Sequence, residues 1–281
     1  MPALLVTYPT PFLRLSDSGS FGSAALIYSQ SHLREDMSSN EGYRAKILPI
    51  LTRTVQYTTP FISVFLLVHL SAPALANVGG SSLASQTMLL GREYYQTALS
   101  EPLLVLGPIG IHAASATLKR LLSPSGQPPR RLTHPVSVTG YATLFFLTIH
   151  YLTHRYYPAL DIPPIDSLGP AELDYEFVKA ALRTWPIRSW LLYGGLVFFS
   201  IMHVVDGGAL VRAAWVQEGR IFASFLKKQY SRRKRLALAL GGVVLPVMTG
   251  VYALANEPSM TFASMTTRYL SVFRSSFAYR L

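Results

Sequence analysis

The amino-acid sequence predicts an all-α polytopic membrane protein, a bundle of about five membrane-spanning helices that includes two repeated helical hairpins. Two observations predict it. Half of the 281 residues are hydrophobic and 14% are charged, against about 25% charged in a soluble domain, so the apolar excess needs lipid as its solvent. The apolar residues also gather into five runs of about 20, each long enough to cross the hydrocarbon core of a bilayer.

The runs place spans at residues 54–76, 102–122, 135–157, 190–215 and 236–255. Pro60 and Pro73 are expected to kink the first, and aromatic residues at several span ends suit the interface. The organisation is then a tail over 1–49, a transmembrane bundle over 50–255, and a C-terminal tail over 256–281. That last segment has scattered Tyr, Phe and Arg, too polar to span, and reads as an interfacial helix. Five spans put the N-terminus and the loops after the second and fourth spans on one side. Of the 25 Lys and Arg, 17 lie on that side and 8 on the other. The positive-inside rule therefore places the N-terminus and the run Arg232-Arg233-Lys234-Arg235 in the cytosol, where the run acts as a topology anchor or an anionic-lipid site.

Composition excludes several chemistries. There is no cysteine, hence no disulfide, iron–sulfur cluster, thiolate zinc site or thiol nucleophile. The net charge of +11 sits in loops between apolar segments, where topology accounts for it better than nucleic-acid binding. The apolar start at Leu4 to Val6 is broken by Thr7, Pro9 and Pro11, and acidic residues offset the early arginines, so neither a cleaved signal nor a matrix presequence is expected. Walker, dinucleotide-binding and Ser-His-Asp patterns are missing, and an enzyme is not indicated.

An internal repeat aligns Thr58 to His69 (TTPFISVFLLVH) with Thr139 to His150 (TGYATLFFLTIH). More loosely, IHAASATLKR from Ile111 matches MHVVDGGALVR from Met202. Each hairpin thus carries two histidines, and His69, His112, His150 and His203 all fall inside predicted spans, where an ionisable group is costly and usually faces the bundle interior. Counted along the helices, His69 and His150 share one level and His112 and His203 another, with the levels about 10 Å apart. Paired neutral imidazoles on facing helices are what bis-histidyl haem b requires. Gly107, Gly110, Ala113 and Ala114 around His112, and Gly194, Gly195, Gly207 and Gly208 around His203, would admit a flat ring. The alternative stays open at this level: each histidine hydrogen-bonds a neighbouring helix, and the small residues serve helix packing. His150 and His154, four apart, have a metal-compatible spacing without a fixed acidic partner. Asp206 needs a cation, for which Arg212 and Arg120 are the candidates.

The HPVSVTGY run from His134, the paired spans ending in His, and MHVVDG from Met202 resemble the fungal Mdm-complementing mitochondrial adapter family, with a more distant similarity to the cytochrome b anchor subunits of succinate dehydrogenase and fumarate reductase. The first resemblance implies a multi-pass outer-membrane protein with a duplicated transmembrane region. It also implies a non-enzymatic adapter that recruits a bridge-like lipid-transfer protein of the vacuolar-protein-sorting type to membrane contact sites, supporting lipid homeostasis. Polar groups in the helix bundle would ease headgroup passage, so lipid scrambling is a further expectation. On that resemblance Pro9-Thr10-Pro11, with Phe12 beside it, is the partner-binding motif; an extended proline segment lowers the ordering cost of docking. The second resemblance implies an electron carrier or the anchor of a respiratory complex. With a cytosolic N-terminus and five spans, an N-terminal tag is expected to be digested by protease added to intact mitochondria, while a C-terminal tag is protected. The reverse pattern would overturn the charge-based orientation.

Overall fold

A computed structural model describes residues 20–123, 131–219 and 230–280, with side chains from residue 42. Pro9, Pro11 and Phe12 lie outside the described residues. The chain divides into two units, Met1–Ile47 and Leu48–Leu281. In the first, every described residue, from 20 to 47, is helical.

Every regular element among the described residues is helical: α1 (Ser20–Tyr95), α2 (Glu101–Leu122), α3 (Pro135–Ala159), α4 (Tyr175–Thr184), α5 (Pro186–Gln217), α6 (Arg232–Asn256), α7 (Ala263–Ser275) and α8 (Phe277–Arg280). Five of them, Gly42–Tyr95 within α1 together with α2, α3, α5 and α6, are long and apolar enough to cross a membrane. The chain is a multi-pass α-helical membrane protein.

The first span departs from the hydropathy pattern. Gly42–Tyr95 is 54 residues, far more than one crossing needs, and it is broken at Gly79 (φ −129°, ψ 20°) and Gly80 (φ 59°, ψ −157°). Gly80 alone has a left-handed φ in this turn, a conformation that costs glycine little. The segment from Ser81 to Tyr95 folds back along the outgoing helix. Ala84 and Met88 pack in one cluster with Ala76 and Ala72, a Cβ at Gly91 would stand 3.1 Å from Val68 Cγ1, and Tyr95 reaches Phe65 and His69. The span reading stopped at residue 76 and left this return as a loop, because Ser81, Ser82, Ser85, Gln86 and Thr87 interrupt its apolar residues.

The fold-back joins residues 157–185 and the C-terminal helices in a cap at one end of the bundle. α4 begins at Asp174, whose carboxylate accepts from Glu176 N–H at 2.9 Å, which satisfies one of the free amides of the first turn. One face of α4, with Phe177 and Ala181, packs on Tyr269, Val272 and Phe273 of α7, the Phe177 and Phe273 rings being stacked at 4.4 Å. Burying one such ring contributes about 1.5–3 kcal/mol. The C-terminal segment expected to lie in the interface therefore has its apolar face covered by protein, because α4, weak in hydropathy and strong in helical periodicity, supplies the partner. Arg268 of α7 holds Glu172 at 2.6 Å. The Gly169 amide, followed by Arg268, keeps the Glu172 carboxyl below its usual range.

Elsewhere the bundle closes by small-residue contacts, as membrane helices do. α3 and α5 pack on each other at length. At the crossing of α6 on α1, Gly250 lies so close to the Pro73 carbonyl that an added Cβ would stand 1.8 Å from the oxygen, and Asn77 Nδ2 donates to Pro246 O across the same contact at 2.7 Å. Replacing Gly250 with Val must separate the two helices. We expect Gly250→Val to destabilise the detergent-solubilised protein by about 1–3 kcal/mol, read as a lowered midpoint in thermal unfolding followed by circular dichroism; an unchanged midpoint would show that the crossing is loose.

Candidate functional site

The four histidines singled out by the sequence come together in two pairs. The His69 and His150 ring centres are 6.0 Å apart with planes at 79°, and those of His112 and His203 are 6.2 Å apart at 86°. The pairing follows the repeat: first span with third, second with fourth. Within each hairpin the second helix also sets its histidine against the start of the first. His112 Nδ1 lies 3.0 Å from Thr58 Oγ1, and His203 Nδ1 lies 3.1 Å from the Val136 carbonyl. A Cβ at Gly140 would stand 2.9 Å from His203 Cε1, so Gly140 is small because the imidazole passes over it.

These contacts assign the tautomers of the second pair. A carbonyl such as Val136 O only accepts, so His203 carries its proton on Nδ1. The single proton of the Thr58 hydroxyl goes to the Thr54 or the Val55 carbonyl, each at 3.0 Å, which turns the oxygen toward His112 Nδ1 as an acceptor. In that arrangement both imidazoles keep the Nε2 lone pair free. A hydrogen-bonded Nδ1–H with a free Nε2 is the arrangement of a metal-ligating histidine.

The spacing suits a metal between the rings. An imidazole nitrogen binds a first-row metal at about 2 Å, and the ring centre lies about 1 Å beyond the nitrogen, so two trans ligands have centres about 6 Å apart. Both pairs match. An apolar groove of about 300 Å³, a volume at the lower end of small-molecule sites, runs past Phe65 and Tyr95, the ring neighbours of His69, with neither His69 nor His150 in its lining. Around the second pair, a Cβ at Gly110 or at Gly208 would meet nothing within 4 Å. Part of the predicted small-residue collar serves packing instead: a Cβ at Gly195 would strike the Phe146 ring at 2.6 Å, and one at Gly107 the Pro102 carbonyl at 2.6 Å.

The separation of the levels departs from expectation. His112 sits beside Thr58, eleven positions before His69 on α1, which puts the levels about 16 Å apart rather than about 10 Å. The shorter figure came from measuring depth from span ends that the helices overrun; α5 covers 32 residues, so its ends do not mark a common plane with those of α1.

Charges close the bundle at both ends. Asp206 pairs with Arg232 in a bidentate contact at 2.9 and 2.7 Å, not with Arg120, which donates to Ser137 Oγ at 2.7 Å, nor with Arg212 as considered from sequence. The return of α6 beside α5 brings Arg232 close, a tertiary neighbour that spacing along α5 could not show. At the other end Arg155 grips Glu101 at 2.6 and 2.7 Å. Both of these residues lie in π-helical turns, Leu152–Tyr156 and Glu101–Leu106, a distortion frequent at functional sites. His154, in the first of these turns, stacks on His150 at 4.2 Å. Its two nitrogens lie 2.8 Å from Thr153 Oγ1 and 3.1 Å from Tyr193 OH, so it supports His150. No group of three metal ligands of the His, Asp or Glu type occurs among the described residues, and His150 with His154 does not make one. His134 caps α3, accepting from Val136 N–H at 3.3 Å. Sequence reasoning missed Thr58, Tyr95 and the Val136 carbonyl; Thr58 had a readable signal, as the residue that opens the repeat with Thr139 as its counterpart.

No family model, curated protein or solved structure matches this chain.

Proposed function

We propose that this protein is a haem-carrying membrane adapter: a multi-pass protein of the mitochondrial outer membrane, N-terminus in the cytosol, that recruits a bridge-like lipid-transfer protein through Pro9, Pro11 and Phe12 and supports lipid movement at contact sites. Its bundle holds haem b between His69 and His150 and between His112 and His203. The observation that carries the haem assignment is the pair of ring separations near 6 Å, joined to Nδ1 partners that leave the Nε2 atoms of His112 and His203 unengaged. Haem b so ligated supplies a six-coordinate, one-electron centre. The adapter role is supported by the family resemblance of the repeat and of MHVVDG, and by the excess of Lys and Arg on the N-terminal side.

The second reading, a cytochrome b-type electron carrier or respiratory-complex anchor, is favoured by one feature: two histidine levels about 16 Å apart along α1, a stacking that suits electron transfer along the membrane normal. An adapter whose haems are structural needs no exchange between the two levels.

Purified in mild detergent from haem-replete cells, the protein is expected to show a Soret band and, on reduction, sharp α and β bands. His69→Ala or His150→Ala should remove one component, His112→Ala or His203→Ala the other. A colourless wild-type protein would sink the haem assignment and leave the histidines as interhelical hydrogen-bonding groups. For the adapter role, Pro9→Ala with Pro11→Ala is expected to abolish recruitment of the lipid-transfer partner while membrane insertion and the haem spectrum persist. Undiminished recruitment would refute the docking motif.

A further inference from the structure

Tyr95 ends the returning half of the fold-back, and nothing in the span pattern of the sequence gives it a role. In the structure its hydroxyl lies 3.3 Å from His69 Nδ1. Three rings interlock there: Phe65 stacks on His69 at 5.2 Å and 21°, and the Tyr95 ring meets Phe65 edge-on at 5.1 Å and 89°. The segment that delivers Tyr95 is fastened along its length to the cap. Ser81 N–H donates to Glu257 at 2.9 Å, Ser85 Oγ accepts from Tyr175 N–H at 3.2 Å, and Arg92 donates to the Pro170 and Leu173 carbonyls at 2.8 and 2.9 Å. An ordinary helix-packing residue would not need a hydroxyl aimed at a ring nitrogen, nor three clamps behind it.

We propose that Tyr95 is the positioning residue of His69, the group that fixes its tautomer and ring plane and tunes the centre formed with His150. The inference rests on the haem reading of the histidine pairs. With Nε2 of His69 committed to iron, the proton must sit on Nδ1, so His69 donates and the Tyr95 oxygen accepts. That bond makes the imidazole a stronger donor and favours the oxidised metal. Thr58 performs the same task for His112 in the other pair, from within the outgoing half of α1. The two centres therefore differ in what holds their ligands: one relies on the bundle itself, the other on a hydroxyl carried by the cap. Displacing the cap withdraws Tyr95 and changes the His69 centre without touching the other.

The test is a potentiometric titration of the full-length haem-loaded protein, followed in the α band, with the low-spin ferric signals recorded by electron paramagnetic resonance. Tyr95→Phe keeps the ring that packs on Phe65 and removes only the hydroxyl. It should raise one midpoint potential, a tenfold change in the oxidised-to-reduced ratio appearing as about 59 mV, and shift one ferric signal, while the second centre stays as in the wild type. Thr58→Val should move the second centre and leave the first. Both waves unmoved in Tyr95→Phe, or both moved together, overturns the assignment of Tyr95 while the haem reading stands. Wild-type protein without haem bands overturns the haem reading and this inference with it. If Tyr95→Phe loses its haem, Ser85→Ala, which removes the acceptor for Tyr175 N–H and loosens the returning segment at a distance, gives the second reading: a shift confined to the same wave supports the proposal, and an unshifted wave overturns it.

Discussion

The cap depends on one buried charge. Lys179 is 1% exposed and sits among acidic groups drawn from different parts of the chain. It is bonded to Glu176 within α4 and lies 3.5 Å from Glu257 just past α6. Glu257 in turn accepts from Ser81 N–H at the fold-back, and Glu176 accepts from Met260 N–H at 3.0 Å. A lysine ammonium out of water is tolerated only when such partners surround it, and removing one partner of a buried pair costs about 3–5 kcal/mol. The same two carboxylates thus neutralise the charge, cap the returning segment of α1 and tie down the chain entering α7. Burial alone would push Glu257 up, yet the Ser81 contacts and Lys179 outweigh it and hold the carboxyl below its usual range.

From that fixed point the geometry of the histidines follows. The turn at Gly79 and Gly80 is held shut by Glu257, so the returning segment runs in register along α1 and brings Tyr95 to His69. Pro73 sits between the turn and the histidine. It lacks the N–H that would bond the His69 carbonyl in a regular helix, and its own carbonyl lies against Gly250 of α6. The first histidine level is thus built where a proline, a glycine crossing and two π-helical turns meet. Such departures from regular helix persist in a membrane protein when neighbouring helices absorb them. The second level stands on plainer ground, with His112 and His203 held by a threonine and a carbonyl of their own hairpins.

The charge pairs show how the same bundle tolerates polar groups. Arg155 with Glu101 and Arg232 with Asp206 are both bidentate contacts, the geometry in which arginine binds a carboxylate best. Each carboxylate is the more buried member of its pair, so the arginine serves chiefly to spare it an unpaired charge in a poorly solvated site. With these charges at the ends, the polar groups between them are uncharged: the histidines, their hydroxyl and carbonyl partners, and buried serines such as Ser115 and Ser200.

Much of this was legible in the sequence, because the features concerned are set by local composition and spacing. Lipid solvation demands long apolar runs, and they marked all five spans; the repeat of Thr58 to His69 in Thr139 to His150 marked the pairs, since equivalent positions on duplicated helices come to equivalent depths. Span ends, and the depths measured from them, were not legible, because a helix continues past the hydrocarbon wherever protein covers it, as α5 does. The fold-back at Gly80 and the seat of α7 on α4 were hidden for a related reason: hydropathy does not distinguish an apolar face buried by lipid from one buried by protein. The partners of single groups, Arg232 for Asp206, Tyr95 for His69 and Glu257 for Lys179, lie 26 to 78 positions away in the chain. Residue types told that these groups needed partners, and only the tertiary structure decided which, because a hydrogen bond is chosen by distance in space and not by distance along the sequence.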